Sequence, residues 1–172
     1  MFLAVKNRNR SDNEEHLELH LSNAREIPWN SDDKWVIYSD LHMGNGGRND
    51  DFVRNAELFH STLEDFYLPR GYKLILNGDV EELQKFTWRQ IYSQWKTTYR
   101  LFDRFADDDR LFKTVGNHDS RLIMDLRESH PYRIDTVLEM TGLDFPILFY
   151  HGHQVSAFYM NYNDISRIGI RY

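Results

Sequence analysis

Four short apolar runs each end in a loop where Asp, His or Asn stands beside glycine. This recurrence restricts the fold more than any other feature of the chain. The runs are 34–39 (K-W-V-I-Y-S), 73–77 (K-L-I-L-N), 111–115 (L-F-K-T-V) and 146–150 (P-I-L-F-Y). Their length and apolar content predict buried strands. The loops that follow contain Asp40-Leu41-His42, Gly78-Asp79-Val80-Glu81-Glu82, Gly116-Asn117-His118-Asp119 and His151-Gly152-His153. Positions 40, 79, 117 and 151 are 39, 38 and 34 residues apart. Each interval holds one strand–helix–strand crossover, which returns every loop to the same edge of a mostly parallel sheet. In such sheets the loops at the carboxyl ends of the strands carry the ligand site.

The segments between the runs read as helices. Over 50–68, Phe52, Ala56, Phe59, Leu63 and Phe66 recur at intervals of four and three, the period of one helix face. Over 86–106, Trp88, Ile91, Trp95, Phe102 and Phe105 share a face. Ser120 suits the N-cap of a short helix to about residue 129. Residues 1–30 read as an N-terminal extension. Within it, residues 15–21 fit a short strand or a helical turn, and Pro28 breaks the pattern. Residues 31–172 read as the domain, and 157–172 carry no clear period. Strands alternating with helices give the α/β class.

There are no cysteines, which excludes disulfides, thiolate metal sites and a cysteine nucleophile. A net charge of −6 argues against general attraction to nucleic acid. No apolar run reaches the roughly 18 residues that span a bilayer, and the apolar start is too short for a secretory leader. The expectation is a cytoplasmic protein with a small-molecule ligand. The oligomeric state is open.

Four of the eight histidines fall in the four loops, so the loops concentrate potential metal donors. Carboxylate, imidazole and amide oxygen together suit manganese, iron or zinc better than calcium or a thiolate-selected ion. Two such ions about 3.5–4 Å apart can clamp a phosphoryl group and activate water. Each loop alone has an ordinary reading: a turn pair for Asp40 and His42, a helix cap for Asp79, a turn residue for Asn117, strand-end residues for His151 and His153. All four in order are a much stronger signal than any one. His16, His20, His60 and His130 lack such company and read as surface or packing residues. Arg48 suits either a phosphate contact or solvent.

The motifs S-D-L-H, G-D-V-E-E, G-N-H-D and Y-H-G-H, each after an apolar strand, resemble those of the calcineurin-like metallophosphoesterase superfamily over roughly residues 34–155. The resemblance implies an αββα sandwich and two divalent ions, Mn2+ foremost, with iron or zinc as alternatives. It implies hydrolysis of a phosphate mono-, di- or pyrophosphate ester by attack of a dimetal-bound hydroxide. Carried over by position, Asp40 and His42 would bind the first ion and Asp79 would bridge both. Asn117 and His151 would bind the second. His118 would act on the substrate rather than on metal, oriented by Glu82, with Asp119 as the alternative for that role.

The family's final G-H-x-H motif has no clear counterpart, although Gly152-His153-Gln154-Val155 is a degenerate candidate. The expectation is therefore a domain truncated at its C-terminus, contributing about one sheet and its helices. A second reading is a non-catalytic binding module, or an inactive fragment that keeps part of the metal site. A third has a partner copy completing the ligand set.

Overall fold

The computed structural model describes residue 14, residues 17–124, residue 126 and residues 130–153. Among these residues, six strands form two three-stranded sheets. In the first, β2 (Trp35–Tyr38), β3 (Lys73–Asn77) and β4 (Leu111–Thr114) run parallel in the order β2-β3-β4. Trp35 is opposite Lys73, and Leu74 is opposite Leu111. The second has the order β1-β5-β6, built from β1 (Arg25–Pro28), β5 (Leu138–Thr141) and β6 (Ile147–Phe149). Here β1 is parallel to β5, while β5 is antiparallel to β6.

Alternation along the strands explains the layering. Leu74 and Leu76 point to one side of β3, and Ile75 points to the other. Leu74 and Leu76 join the larger core beneath the helices, with Phe59, Leu63, Phe102 and Phe105. Ile75 and Phe112 meet Ile27, Leu138 and Met140 of the second sheet. Leu74, Ile75 and Leu76 are fully buried, each worth about 1.5–3 kcal/mol in apolar transfer. The first sheet thus has helices on one face and the second sheet on the other. The α/β architecture agrees with a calcineurin-like fold.

Three expectations change. Two sheets are present, where one was anticipated. The strand within 146–150 does not extend the parallel sheet. It follows β5 after the short turn 142–146, too short for a crossover, so it must return antiparallel. Residues 25–28, inside the segment read as an N-terminal extension, form a strand that pairs with β5; residues 17–22 before it are helical, one of the two forms the sequence allowed.

The helices are also more broken than their apolar period implies. Residues 50–68 comprise a 3-10 turn (Asp51–Arg54), α1 (Ala56–Ser61) and a π-helical stretch (Thr62–Tyr67). The wider π turn shifts the register. Phe66 therefore leaves the core, 45% exposed, while Leu68 is buried. Residues 86–106 divide into α2 (Trp88–Gln94) and α3 (Lys96–Ala106). The break is Trp95, at φ −102° and ψ 32°, whose indole Nε1 donates to Asp50 Oδ2 at 3.0 Å. Thr87 and Gln90 form a reciprocal capping box on α2, a T-x-x-Q signal legible in the sequence. Of the helix expected over 120–129, α4 covers Arg121–Met124. Part of its remainder, and all of 157–172, lie outside the described residues. No helix among the described residues is long and apolar enough to cross a membrane.

Candidate metal centre

Parallel pairing of β2, β3 and β4 brings their exit loops to one edge, and the pairing continues into the loops. Asp40 N donates to Gly78 O, His42 N to Asp79 O, Met43 N to Val80 O and Glu82 N to Met43 O, at 2.9–3.2 Å. Residues 40–43 and 78–82 therefore form a backbone ladder that fixes Asp40, His42 and Asp79 relative to one another. The exit of β6 joins from the second sheet, where Asn77 Nδ2 donates to Tyr150 O at 3.3 Å and His151 Nδ1 lies 3.1 Å from Asn77 O.

The backbone is strained where these side chains leave it. Asp40, His42 and Asp79 have φ of 56°, 48° and 53°, in the left-handed region that non-glycine residues seldom occupy. Such strain concentrates at functional sites. Two glycines make room. A Cβ on Gly78 would lie 2.7 Å from the His151 ring, and one on Gly116 would collide with the Asp79 carboxylate.

Four donor atoms face one another. Asp40 Oδ1 lies 3.8 Å from His42 Nε2 and 3.9 Å from His151 Nε2. Asp79 Oδ2 lies 3.9 Å from His42 Nε2 and 3.1 Å from His151 Nε2. Ligand atoms bound at about 2.1 Å to one cation are separated by about 3.0 Å in octahedral geometry and about 3.4 Å in tetrahedral geometry. The His151–Asp79 spacing of 3.1 Å falls between these values and the other three, at 3.8–3.9 Å, lie slightly above them, so the donors are close to the spacing of a cation shell. Donor atoms of Asp40, Asp79 and His151 lie within 4.8 Å of one another, as do those of His42, Asp79 and His118. Asp79 is common to both sets, as a bridging carboxylate would be. His151 groups with Asp40 in one set and His42 with His118 in the other.

Electrostatics bind this cluster together. Burial pushes the Asp79 carboxyl up, but hydrogen bonds from His151 and the His118 amide, with the His151 charge, bring it below its ordinary value. The same hydrogen bond to Asp79 raises His151 to about 9 against the opposing effect of burial. His153 is lowered to about 4 by burial and the neighbouring His151 charge, and its buried Nδ1 has no hydrogen-bond partner.

His118 stands beside this cluster, its ring 4.6 Å from that of His42 and nearly perpendicular to it. Its Nδ1 is 2.9 Å from both oxygens of Glu82, and its backbone N–H donates to Asp79 Oδ1 at 2.8 Å. Glu82 also approaches His42 Nδ1 at 3.4 Å and Lys85 Nζ at 3.3 Å. Burial would raise the Glu82 pKa, but these cationic and hydrogen-bonding neighbours hold it well below the usual carboxylate range.

Asp119 does not share the role of Glu82. It is completely buried, with Oδ1 accepting from Gly116 N at 2.6 Å and Oδ2 from Val80 N at 2.9 Å. It ties the loop after β4 to the loop after β3, and burial raises its carboxyl to about 6. Asn117 lies in the same loop, and its backbone carbonyl accepts from Gln84 Nε2 and Ser120 Oγ. Arg48 is exposed.

Behind the site lies a network that residue spacing did not reveal. Glu81, next to Glu82, points into the core, where Oε2 accepts from Lys113 Nζ at 2.8 Å and Oε1 from Tyr99 Oη at 2.9 Å. His130 Nε2 is 3.5 Å from Glu81 Oε1. Glu81 and Lys113 are each 1% exposed. The available signal was the lysine in the otherwise apolar run L-F-K-T-V, since a buried lysine needs a buried partner.

The family model of calcineurin-like phosphoesterases matches residues 34–171. No curated protein and no solved structure matches the chain.

Proposed function

We propose that this chain, which belongs to the calcineurin-like phosphoesterase family, hydrolyses a phosphate mono-, di- or pyrophosphate ester at the cluster around Asp79. The family is metal-dependent, and the donor set fits divalent ions. Asp40, His42, Asp79 and His151, with the Asn117 side chain as a further donor, would hold two ions. Mn2+ is favoured by the mixed oxygen and nitrogen donors, with iron or zinc as alternatives. When bound, such ions supply Lewis acidity toward the phosphoryl oxygens and an activated water. The observation that carries this reading is the convergence of His42 and His151, from two separated loops, on Asp79 of a third, at 3.9 and 3.1 Å, with Asp40 at 3.8–3.9 Å from the same two imidazoles.

The chain's own groups divide the remaining work. Glu82, kept ionised, accepts from His118 Nδ1–H and so fixes the ring with Nε2 toward the substrate. His118 stabilises charge on the phosphoryl group and passes a proton to the departing oxygen. Lys85 partly compensates Glu82 and limits its pull on His42. Asp119 and the buried Glu81–Lys113 pair hold the loops from behind and touch no substrate. A cytoplasmic location and a small phosphate ester as partner complete the reading.

The test is release of 4-nitrophenol from its phosphate ester by the purified chain, with and without Mn2+. Expected are Mn2+-dependent turnover, about two ions per chain by elemental analysis, and loss of both on Asp79→Asn. Undiminished turnover by Asp79→Asn would end this reading. A chain that binds no ion and turns over no ester would favour the non-catalytic module.

A further inference from the structure

A cavity of about 400 Å³ opens beside Asp40, within the size range of small-molecule sites. One wall is the end of β2 from Tyr38 to Leu41. The other is a single face of the segment after it, in which Phe52, Asn55, Leu58 and Phe59 recur at intervals of three or four or stand side by side. Phe52 and Phe59 are almost fully buried and meet edge to face at 5.3 Å, giving the cavity a firm apolar floor. Leu58 stands at its lip, 68% exposed. The cavity shares Asp40 with the metal cluster, and Asp40 is the most exposed member of the donor quartet, its side chain 54% accessible. A group attached to a phosphate held at that cluster would enter the cavity past Asp40.

The lining also carries a charge signature. Its ionisable members are Asp40 and Asp51, plus the phenol of Tyr38, and it contains no Lys, Arg or His. A second phosphate would meet carboxylates and apolar carbon with no counter-charge, whereas an uncharged alkyl or aryl group would bury apolar surface.

We propose that this cavity receives the uncharged, apolar alcohol portion of the phosphate ester, so that the substrate is an ester of such an alcohol rather than a bisphosphate or a nucleoside diphosphate. The assignment rests on the phosphoesterase reading above. In the reaction it serves, an oxygen–phosphorus bond forms from water and the bond from phosphorus to the alcohol oxygen breaks. That oxygen leaves with a proton, and the alcohol is released from the cavity.

The test compares phosphate release from methyl phosphate, hexyl phosphate and 1,6-hexanediol bisphosphate by the Mn2+-loaded chain. The expected kcat/KM for hexyl phosphate is at least tenfold above either of the others. Leu58→Arg, at the exposed lip, should lower hexyl phosphate at least fivefold and raise the bisphosphate. Asn55→Trp, which fills the cavity from its rim, should bring hexyl phosphate down to the methyl phosphate level. A second readout needs no turnover: saturation-transfer NMR of 1-hexanol with the metal-free chain, in which Asn55→Trp should abolish the signal. Equal rates on methyl and hexyl phosphate, or an unchanged hexanol signal in Asn55→Trp, would overturn the pocket assignment even if hydrolysis is normal. No turnover of any ester, with a hexanol signal that the variants abolish, would overturn the phosphoesterase reading and with it the identity of the occupant as a leaving group.

Discussion

Glu81 and Glu82 are neighbours in the chain and face opposite worlds. Glu82 turns forward to His118, His42 and Lys85 at the partly open loop edge. Glu81 turns back to Lys113 and Tyr99 in the core. Behind, the carboxylate has its cation within hydrogen-bond distance, and the pair is closed to solvent. In front, Asp40, Asp79 and Glu82 meet imidazoles and one peripheral lysine, so negative charge remains that a divalent ion would neutralise. Acidic residues alone therefore do not make a cation site. What distinguishes the front from the back is uncompensated charge held at ligand spacing on a strained backbone.

The rear network offers the largest effect. Lys113→Ala would leave Glu81 buried without its cation, at a cost of about 3–5 kcal/mol in urea unfolding. The double replacement Glu81→Leu with Lys113→Met should recover much of that loss. A fully destabilised double variant would mean that the network shapes the loops as well as neutralising charge. In front, Glu82→Gln should leave bound metal near its wild-type level and lower kcat about 10–100-fold, because an amide can still hold the His118 ring by hydrogen bond but brings no charge to the site. An equal loss of metal would instead count Glu82 among the groups that hold the ions.

A third comparison uses acidity. His151, raised to about 9 by Asp79, carries a proton at neutral pH in the metal-free chain, and a metal ion must displace it. Mn2+ affinity should therefore rise about tenfold per pH unit toward pH 9, with about one proton released per chain. In the metal-free chain the His151–Asp79 pair contributes stability that is full below the ordinary histidine value near 6.5 and is lost as pH rises through about 9. A flat Mn2+ titration between pH 6.5 and 8.5 would break this comparison. The smallest effect is the surface control. Arg104→Ala removes a half-exposed pair with Glu64 and should change stability by about 0.5 kcal/mol or less.

The loops were legible because their chemistry is local. Aspartate, histidine and asparagine next to glycine at the ends of apolar runs can be read without knowing how the sheets stack, and three of those runs do pair in parallel. What the linear pattern hid was mostly non-local. Strand β1 is four residues long, ends in proline and, among the described residues, pairs with β5, more than a hundred positions away. Phe66 fits a helical period, and only the π turn removes it from the core. Trp95 looked like one more member of an apolar face, yet its bond to Asp50 interrupts the helix there. Glu82 was the first candidate to orient His118 and Asp119 the alternative; the structure puts Glu82 against the ring and ties Asp119 to two amides.

Gly116 contributes to the cluster through an atom it lacks. The space where a methyl would sit is taken by the Asp79 carboxylate, so the position offers no side chain and has no room for one. In a mutational scan it should respond like a metal-ligating residue even though it has no side chain to coordinate with. Sensitivity there would measure how narrowly the aspartate is confined, and alanine, harmless at most exposed glycines, would be the most informative substitution.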